Sequence, residues 1–591
     1  MPGITTMMDI SRWALNTSSL QLNTVSHNVA NANTVGYSRQ SVVTGTMFAE
    51  KTSSGYYGLG VTAQTVIQHV DKLILKRVTD KQSELSYQDT FMSQLLRLQS
   101  LSNEAGDASL GTLTTAFFNA WQNVSNNPES SAVREDLLET AQTLTSRLQD
   151  LNNDLRLMRN DLDSYLKQAV TDVNDIARKI ASLNKQIVSG EFSGHTANDL
   201  RDERINLLNE LSTKMDIQWF EDDYGAITVT IGNGKTIVHN DYPRPTDTDP
   251  LVWDYVAGTN EKKISWQGTV VTIESQEVTG GTIGAWLKVR DVEIPQSVEF
   301  LNTFTKTLIG AVNIVHSNGA GLEKFSTVGG SYTTTDPSLR FDDPGQDLAF
   351  ADMVQNGQVS FWVYQNGMQH QYTVDVYAHD SMQTVTERMN RVMHAATWPT
   401  IDTSQAPQAY WSKTDNNSYH FYMASTPNSG IEFAFAGDSS GLLAALGVNT
   451  FFTGDSVTNI GIHDDIKNDV SYIAAGRILA TGEHAKGDNS NALILANLKD
   501  TQLMGNGRQT LNESVIQWAA QLGTKIASSQ DKYSFAYTTL AQLEAQRDNI
   551  SAVNTDEELI LLIQFQRAYQ AAAKMVNVAD TLLEEIINLK R

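Results

Sequence analysis

The sequence predicts a multidomain α+β protein: terminal coiled-coil helices and a long-helix rod domain, with inserted β-rich outer modules. Three observations carry this. Heptad-spaced apolar residues occupy both ends, long stretches of helical period flank the middle, and inside them the apolar period switches from 3.6 to 2.

At the N-terminus Ile4, Met8, Ser11, Leu15, Ser18, Leu22, Val25, Val29 and Ala32 step by four and three, apolar except for the two serines. They read as one face of an amphipathic helix. The run Ser26 to Gln40 then ends that helix, because its asparagines and Gly36 tolerate left-handed backbone and cap carbonyls. From Val70 to about Met215 the chain reads as helix almost throughout. Its longest piece repeats Leu137, Ala141, Leu144, Leu148, Leu151, Leu155, Met158, Leu162, Tyr165 and Ala169, then Val173, Ile176, Ile180, Leu183 and Ile187. The two successive four-residue steps at Ala169 are a stutter, which locally unwinds a coiled coil.

Around Asp216 strands begin. Ile227, Val229 and Ile231 alternate up to Asn233-Gly234, a hairpin signal, and short strands continue to Lys288. A helix from about Pro295 to Asn318 precedes a Gly329-Gly330 loop. Val359, Phe361 and Val363 then pair across Asn366-Gly367 with Tyr372, Val374 and Val376, before a helix from Ser381 to His394 and strands at Tyr419 to Met423 and Ile431 to Phe435. Helices resume at about Asn491.

The last stretch carries Leu561, Phe565, Ala568, Ala572, Met575, Ala579, Leu582, Ile586 and Leu589, an unbroken seam. Asn554 starts it as a cap, with Glu557 placed to return the bond. A helix of about 35 residues is roughly 50 Å long, and its seam needs a partner. The N-terminal helix, antiparallel, is the first candidate. Leu562, Tyr569, Val576 and Leu583 flank the seam and leave apolar surface over, which points to packing between subunits.

These readings divide the chain into five parts. They are a terminal coiled-coil domain (1–40 with 552–591), a helical rod domain (41–215 with 485–551), a β-rich domain with a helix (216–330), an inserted α+β outer module (331–450) and a return segment (451–484).

Composition narrows the function. With 43 basic against 67 acidic residues the net charge is −24, which argues against a nucleic-acid or anionic-membrane surface. The absence of cysteine excludes disulfides, thiolate catalysis and cysteine zinc sites. Met1 to Ser11 has no basic n-region or continuous apolar h-region, so export without a cleaved signal is expected. No stretch is apolar enough over 18 residues to span a membrane.

Asn28, Ala30-Asn31, Asn33-Thr34 and Gly36-Tyr37 resemble the N-terminal signature of flagellar rod, hook and hook-associated proteins, with Val35 where many relatives carry Pro. The Ser38-Arg39-Gln40 continuation is most like the hook-associated protein 1 branch. So are Leu446 to Gly454, Gly487 to Leu493, and Val553 to Glu558 with Gln564 to Tyr569. The resemblance implies an extracellular structural component of the flagellum at the hook–filament junction, about eleven copies in a ring or helical assembly. It implies as partners the hook protein, the second hook-associated junction protein and a type III export chaperone holding the C-terminal helix. The expected assembly interface is Leu15, Leu22, Val25, Asn28, Val29, Asn31, Asn33, Gly36 and Tyr37, with Leu561, Phe565, Ala568, Ala572, Met575, Ala579, Leu582, Ile586 and Leu589.

Two other readings stand beside it. Gly437-Asp438-Ser439-Ser440-Gly441 fits Gly-x-Ser-x-Gly between a strand and a helix, as in a secreted serine hydrolase. The preceding strands read as hairpins rather than a parallel scaffold, which favours an ordinary turn and no enzyme. The seams would also suit a coiled-coil surface adhesin. No cofactor or metal motif appears, and Glu221-Asp222-Asp223 and His463-Asp464-Asp465 read as solvated turns.

Overall fold

The computed structural model describes residues 2–589 apart from 53–54, 103–105, 107, 193–195, 232–233, 244–249, 256–261, 268–271, 396–405 and 415. In chain order the helices are α1 (Pro2–Ala30), α2 (Lys72–Ser102), α3 (Leu110–Asn126), α4 (Ser131–Glu191), α5 (Asn198–Lys214), α6 (Gly281–Lys288) and α7 (Ile294–Ser317). They continue as α8 (Met382–Ala395), α9 (Leu442–Leu446), α10 (Asp464–Asn468), α11 (Ser490–Asn497), α12 (Leu511–Ser551) and α13 (Thr555–Leu589). The chain forms two compact units, one of residues 1–95, 160–292 and 526–591, the other of 96–159 and 293–525.

The stutter in α4 sits one step earlier than its heptads suggest. Leu137 through Leu162 are buried at every expected position, but the next buried residue is Leu166, and Tyr165 is 45% exposed. Leu162, Leu166 and Val170 make the four-residue steps, because the apolar Leu166 is preferred inside over a tyrosine whose hydroxyl wants water.

In the first unit two strands, Gln40–Thr46 and Val61–Gln68, pair antiparallel beside α1, in a stretch grouped from residue 41 onward with the helical rod domain and given no strands. The strands Ile217–Glu221, Ile227–Ile231 and Lys235–His239 pair in sequence. Asn233 of the expected turn lies outside the described residues, but Ile231 pairs with Lys235 around it. Two asparagines of α4 dock this β region. Asn184 Nδ2 donates to Ile227 O (2.8 Å) while its Oδ1 accepts from Ile227 N (3.2 Å). Asn174 treats Leu251 alike, at 2.8 and 3.1 Å. Each amide thus mimics a strand partner for one strand residue. Glu221 is not in a solvated turn: its buried carboxylate accepts from Arg201 (2.5 Å) and Arg204 (3.2 Å) and pairs with Lys72. Burial alone would raise that carboxyl, yet Lys72 and the two arginines hold it below the usual range.

Strands do not continue to Lys288, as the helix begins at Gly281. Gly281 has φ +66°, and a Cβ there would meet Met215 N at 2.3 Å, so the chain turns into α6 where only glycine fits.

The second unit has its core where Phe117, Trp121, Phe451 and Phe452 gather around α7. His316 is buried among them. Its Nδ1 lies 2.8 Å from Asn449 O and its Nε2 accepts from Ala474 N at 2.9 Å, which fixes a neutral ring, and burial pulls its pKa down to about 4. Arg134, equally buried, spends its guanidinium on the carbonyls of Pro128 (2.8 Å), Val470 (3.2 Å) and Ile473 (2.6 Å).

The expected hairpin is present, with Val359 opposite Val374 and Phe361 opposite Tyr372 across Asn366 (φ +52°) and Gly367 (φ +76°). The Gly329-Gly330 segment, expected as a loop, lies inside the strand Thr327–Thr334. Both glycines serve close approach: a Cβ on Gly330 would lie 2.3 Å from Leu446 O. Asn390 of α8 repeats the amide device on the strand residue Ala409, at 2.7 and 2.9 Å. The Gly437 to Gly441 segment is a turn that caps α9. Asp438 accepts from Leu443 N (2.7 Å) and Ser440 N (2.7 Å), and the Ser439 hydroxyl bonds the backbone of Gln358 (2.9 and 3.3 Å). The strand before it pairs antiparallel with Gly357–Gln365, not in a parallel βαβ scaffold.

Candidate assembly interface

Helices α1 and α13 pack against each other antiparallel, the end of α1 meeting the start of α13. The face of α1 is narrow and small: Ser11, Ser18 and Val25 are buried along it, and Ser11 Oγ is satisfied by Met7 O at 2.8 Å. Leu15, Leu22 and Val29 are half-buried. On α13 Ala572 and Ala579 are buried, and Leu561, Leu562, Phe565, Val576, Leu583 and Ile586 are half-buried. Ala568, Met575 and Leu582 of the expected seam stand outside, and the side chain of Leu589 lies outside the described residues. Val576 and Leu583, which the spacing places in a flanking stripe, therefore lie inward instead.

One polar residue sets this rotation. Asn28 is buried at the end of α1, where Nδ2 donates to Gln40 O (2.8 Å) and to Glu558 Oε2 (3.0 Å). Its Oδ1 accepts from Gln40 N (3.0 Å) and Tyr37 Oη (2.8 Å), so all four bonds of the amide are made. With Glu558 turned toward Asn28, the positions 4, 7, 14 and 18 residues further on face the same way. Those are Leu562, Phe565, Ala572 and Val576. Asn554 caps α13 by accepting from Asp556 N (3.1 Å), while Glu557 pairs with Arg39 (3.4 Å) rather than closing a capping box.

The loop after α1 is held by α5. Asp202 accepts from Ser38 N (2.8 Å) and Ser38 Oγ (2.7 Å), Asp199 accepts from Gln40 Nε2 (2.7 Å), and Asn206 reaches Val35 O at 3.4 Å. Gly36 is exposed at φ +78°, and a Cβ there would strike the Asn206 amide. Asn31 donates to His27 O (3.1 Å) and accepts from Thr34 (3.2 Å), whereas Asn33 is exposed. Tyr37 Oη also lies 3.0 Å from His27 Nδ1, and burial with the nearby carboxylates drives its pKa well above the ordinary phenol value. Sequence reasoning had α5 as part of the helical run to Met215 but missed its hold on this loop, since acidic residues on a helix face read as solvated.

Burial pushes the Asp202 carboxyl up to about 6, against the opposing bonds from Ser38. A raised acid stabilises the fold when protonated, so this contribution is complete below about pH 4 and is lost as pH rises through 6. The displacement corresponds to about 3 kcal/mol. Asp202→Asn keeps an acceptor and a donor for Ser38 without the charge. Urea midpoints measured from pH 4 to 7 should therefore show the natural chain losing ground to the variant as pH rises; parallel profiles would sink this account.

Residues 95–331 match the family described as flagellar hook-associated protein FlgK helical domain, 545–589 the flagellar basal body rod FlgEFG protein C-terminal family, and 8–37 the flagella basal body rod protein family. Flagellar hook-associated protein 1 of Escherichia coli (strain K12) is 24% identical over 593 residues, covering 98% of each chain. Over nearly its whole length the chain is thus similar to flagellar hook-associated protein 1. Its Bacillus subtilis (strain 168) relative of the same description is 25% identical over 98% of this chain and 97% of that one. The solved structure of the flagellar hook junction protein FlgK from Burkholderia pseudomallei shares the fold, at a TM-score of 0.52 and 16% identity over 80% of this chain and all of that one. In this chain the rod-type match ends at Tyr37 and the helical-domain match contains α5. The bonds from Ser38 and Gln40 to Asp202 and Asp199 thus tie one family segment to the next.

Proposed function

We propose that this chain is a structural component of the bacterial flagellum that helps form the junction between hook and filament by self-assembly of its terminal helices. The observation that carries this is the apolar stripe left on α13 after α1 is packed: Met575, Val578 and Leu582 remain 46%, 49% and 38% exposed. A stripe that its own chain does not cover calls for neighbours. The assembly residues are those of the two helices and the α1 loop named above, with hook protein and the second junction protein on either side, about eleven copies to the assembly. Before export the same stripe is a hazard in the cytosol, which supports a chaperone on α13. Among the described residues no helix is long and apolar enough to cross a membrane.

Labelled electron microscopy of intact flagella tests the placement: label confined to a short zone between hook and filament is expected, and label along the cell body would overturn it in favour of an adhesin. Intact-mass measurement on protein sheared from cells should give the unprocessed chain, and loss of about 20 N-terminal residues would contradict export without cleavage. The protein acts without catalysis. Ser439→Ala is expected to leave motility unchanged, because the hydroxyl is engaged by Gln358 backbone; esterase activity lost in that variant would restore the hydrolase reading.

A further inference from the structure

The sheet of Thr327–Thr334, Tyr419–Ala424 and Gln408–Lys413 has one face that the assembly role does not use. Val328, Phe421, Met423 and Ala409 are buried, so the alternate residues stand outward. Register arranges them in three rows: Thr327, Ala424 and Gln408; Gly329, Tyr422 and Tyr410; Thr333, His420 and Ser412.

The middle row is an aromatic surface. Tyr410 and Tyr422 stack with centroids 5.5 Å apart and planes at 16°, and His420 meets Tyr422 edge-on at 4.6 Å. Gly329 makes the arrangement possible. A Cβ there would lie 2.7 Å from Tyr422 Cε1, so the Tyr422 ring rests over bare backbone, and its stacking partner Tyr410 is 43% exposed. The rows on either side offer the hydroxyls of Thr327, Thr333 and Ser412 and the amide of Gln408. None of these nine positions is Lys, Arg, Asp or Glu, in a chain of net charge −24.

We propose that this face binds a neutral oligosaccharide. The C–H face of a sugar ring, weakly positive, packs on the negative π face of a tyrosine, while its hydroxyls bond the flanking rows. A charged ligand would be desolvated with no counter-charge to meet it, and nucleic acid would lack the cations it needs. A wholly apolar partner would strip water from the flanking hydroxyls and amide without replacing their bonds.

The test uses the full chain with ¹³C-labelled tyrosine rings, titrated with maltotriose, cellotriose, laminaritriose and chitotriose and followed by NMR. At least one trisaccharide is expected to shift the Tyr410 and Tyr422 signals at millimolar concentration or below. Tyr410→Ala should weaken that binding about tenfold or more, and Tyr410→Phe should retain it with the sheet's spectrum intact. Silence from all four sugars, binding that survives Tyr410→Ala, or occupation of the face by a hexaproline peptide and by no sugar would each overturn the proposal.

Discussion

Replacing Leu582 and Ile586 together by Asp is expected to abolish incorporation at the junction, so that filament subunits leak into the medium and motility is lost. The two positions read different surfaces: Ile586 is half-buried on the α1 side and Leu582 lies on the uncovered stripe. Each apolar side chain is worth roughly 1.5 to 3 kcal/mol when fully buried, and an unpaired carboxylate in its place adds a desolvation cost. Leu582→Asp alone separates the surfaces. It should leave the free protein as stable as before and still block assembly, because its cost falls only where a neighbour covers the stripe. Limited proteolysis of the free protein should trim both ends first and leave a core of about residues 70–545. Normal flagella from the double variant, or termini as protected as the centre, would refute the role given to α13.

A second large effect is expected at Asn28. Asn28→Leu would leave Gln40 N–H, Gln40 C=O, Tyr37 Oη and the Glu558 carboxylate without that partner in a buried site. At about 1 to 3 kcal/mol for each group left unsatisfied, a loss of about 4 kcal/mol or more follows, enough to detach α13 from α1. Asn28→Asp keeps the shape but sets a carboxylate against Glu558, so its defect should ease as pH falls through the carboxylate range. Urea unfolding at pH 7 and pH 4.5 distinguishes the two, and a stable Asn28→Leu protein with functional flagella would remove Asn28 from its central place.

How much of this was legible depends on how far apart the interacting residues lie. The long helices α4 and α13 and the Asn366-Gly367 hairpin follow from local patterns, and the elements themselves appear where those patterns mark them. The rotation of α13 was not readable, because apolar residues cover a wide arc of that helix and the choice between adjoining stripes falls to a polar contact with Asn28, 530 residues away. The α5 contacts had no periodic signal either: Asp199 and Asp202 look like any acidic helix surface until Ser38 and Gln40 are brought to them. Gly329-Gly330 misled for a related reason, since a glycine needed for close approach inside a strand carries the same letter as one that breaks it.

The amide pairs made by Asn28, Asn174, Asn184 and Asn390 bear on how this fold can vary over evolutionary time. Whatever side chains it also meets, each asparagine bonds its strand residue through backbone alone, so Gln40, Leu251, Ile227 and Ala409 contribute nothing to that pair of bonds through their side-chain identity. The requirement is one-sided. Saturation mutagenesis would find the four asparagines nearly immutable and their partners answerable only to their own surroundings, so that whole strands can be rewritten while four amides keep the helices in register with them.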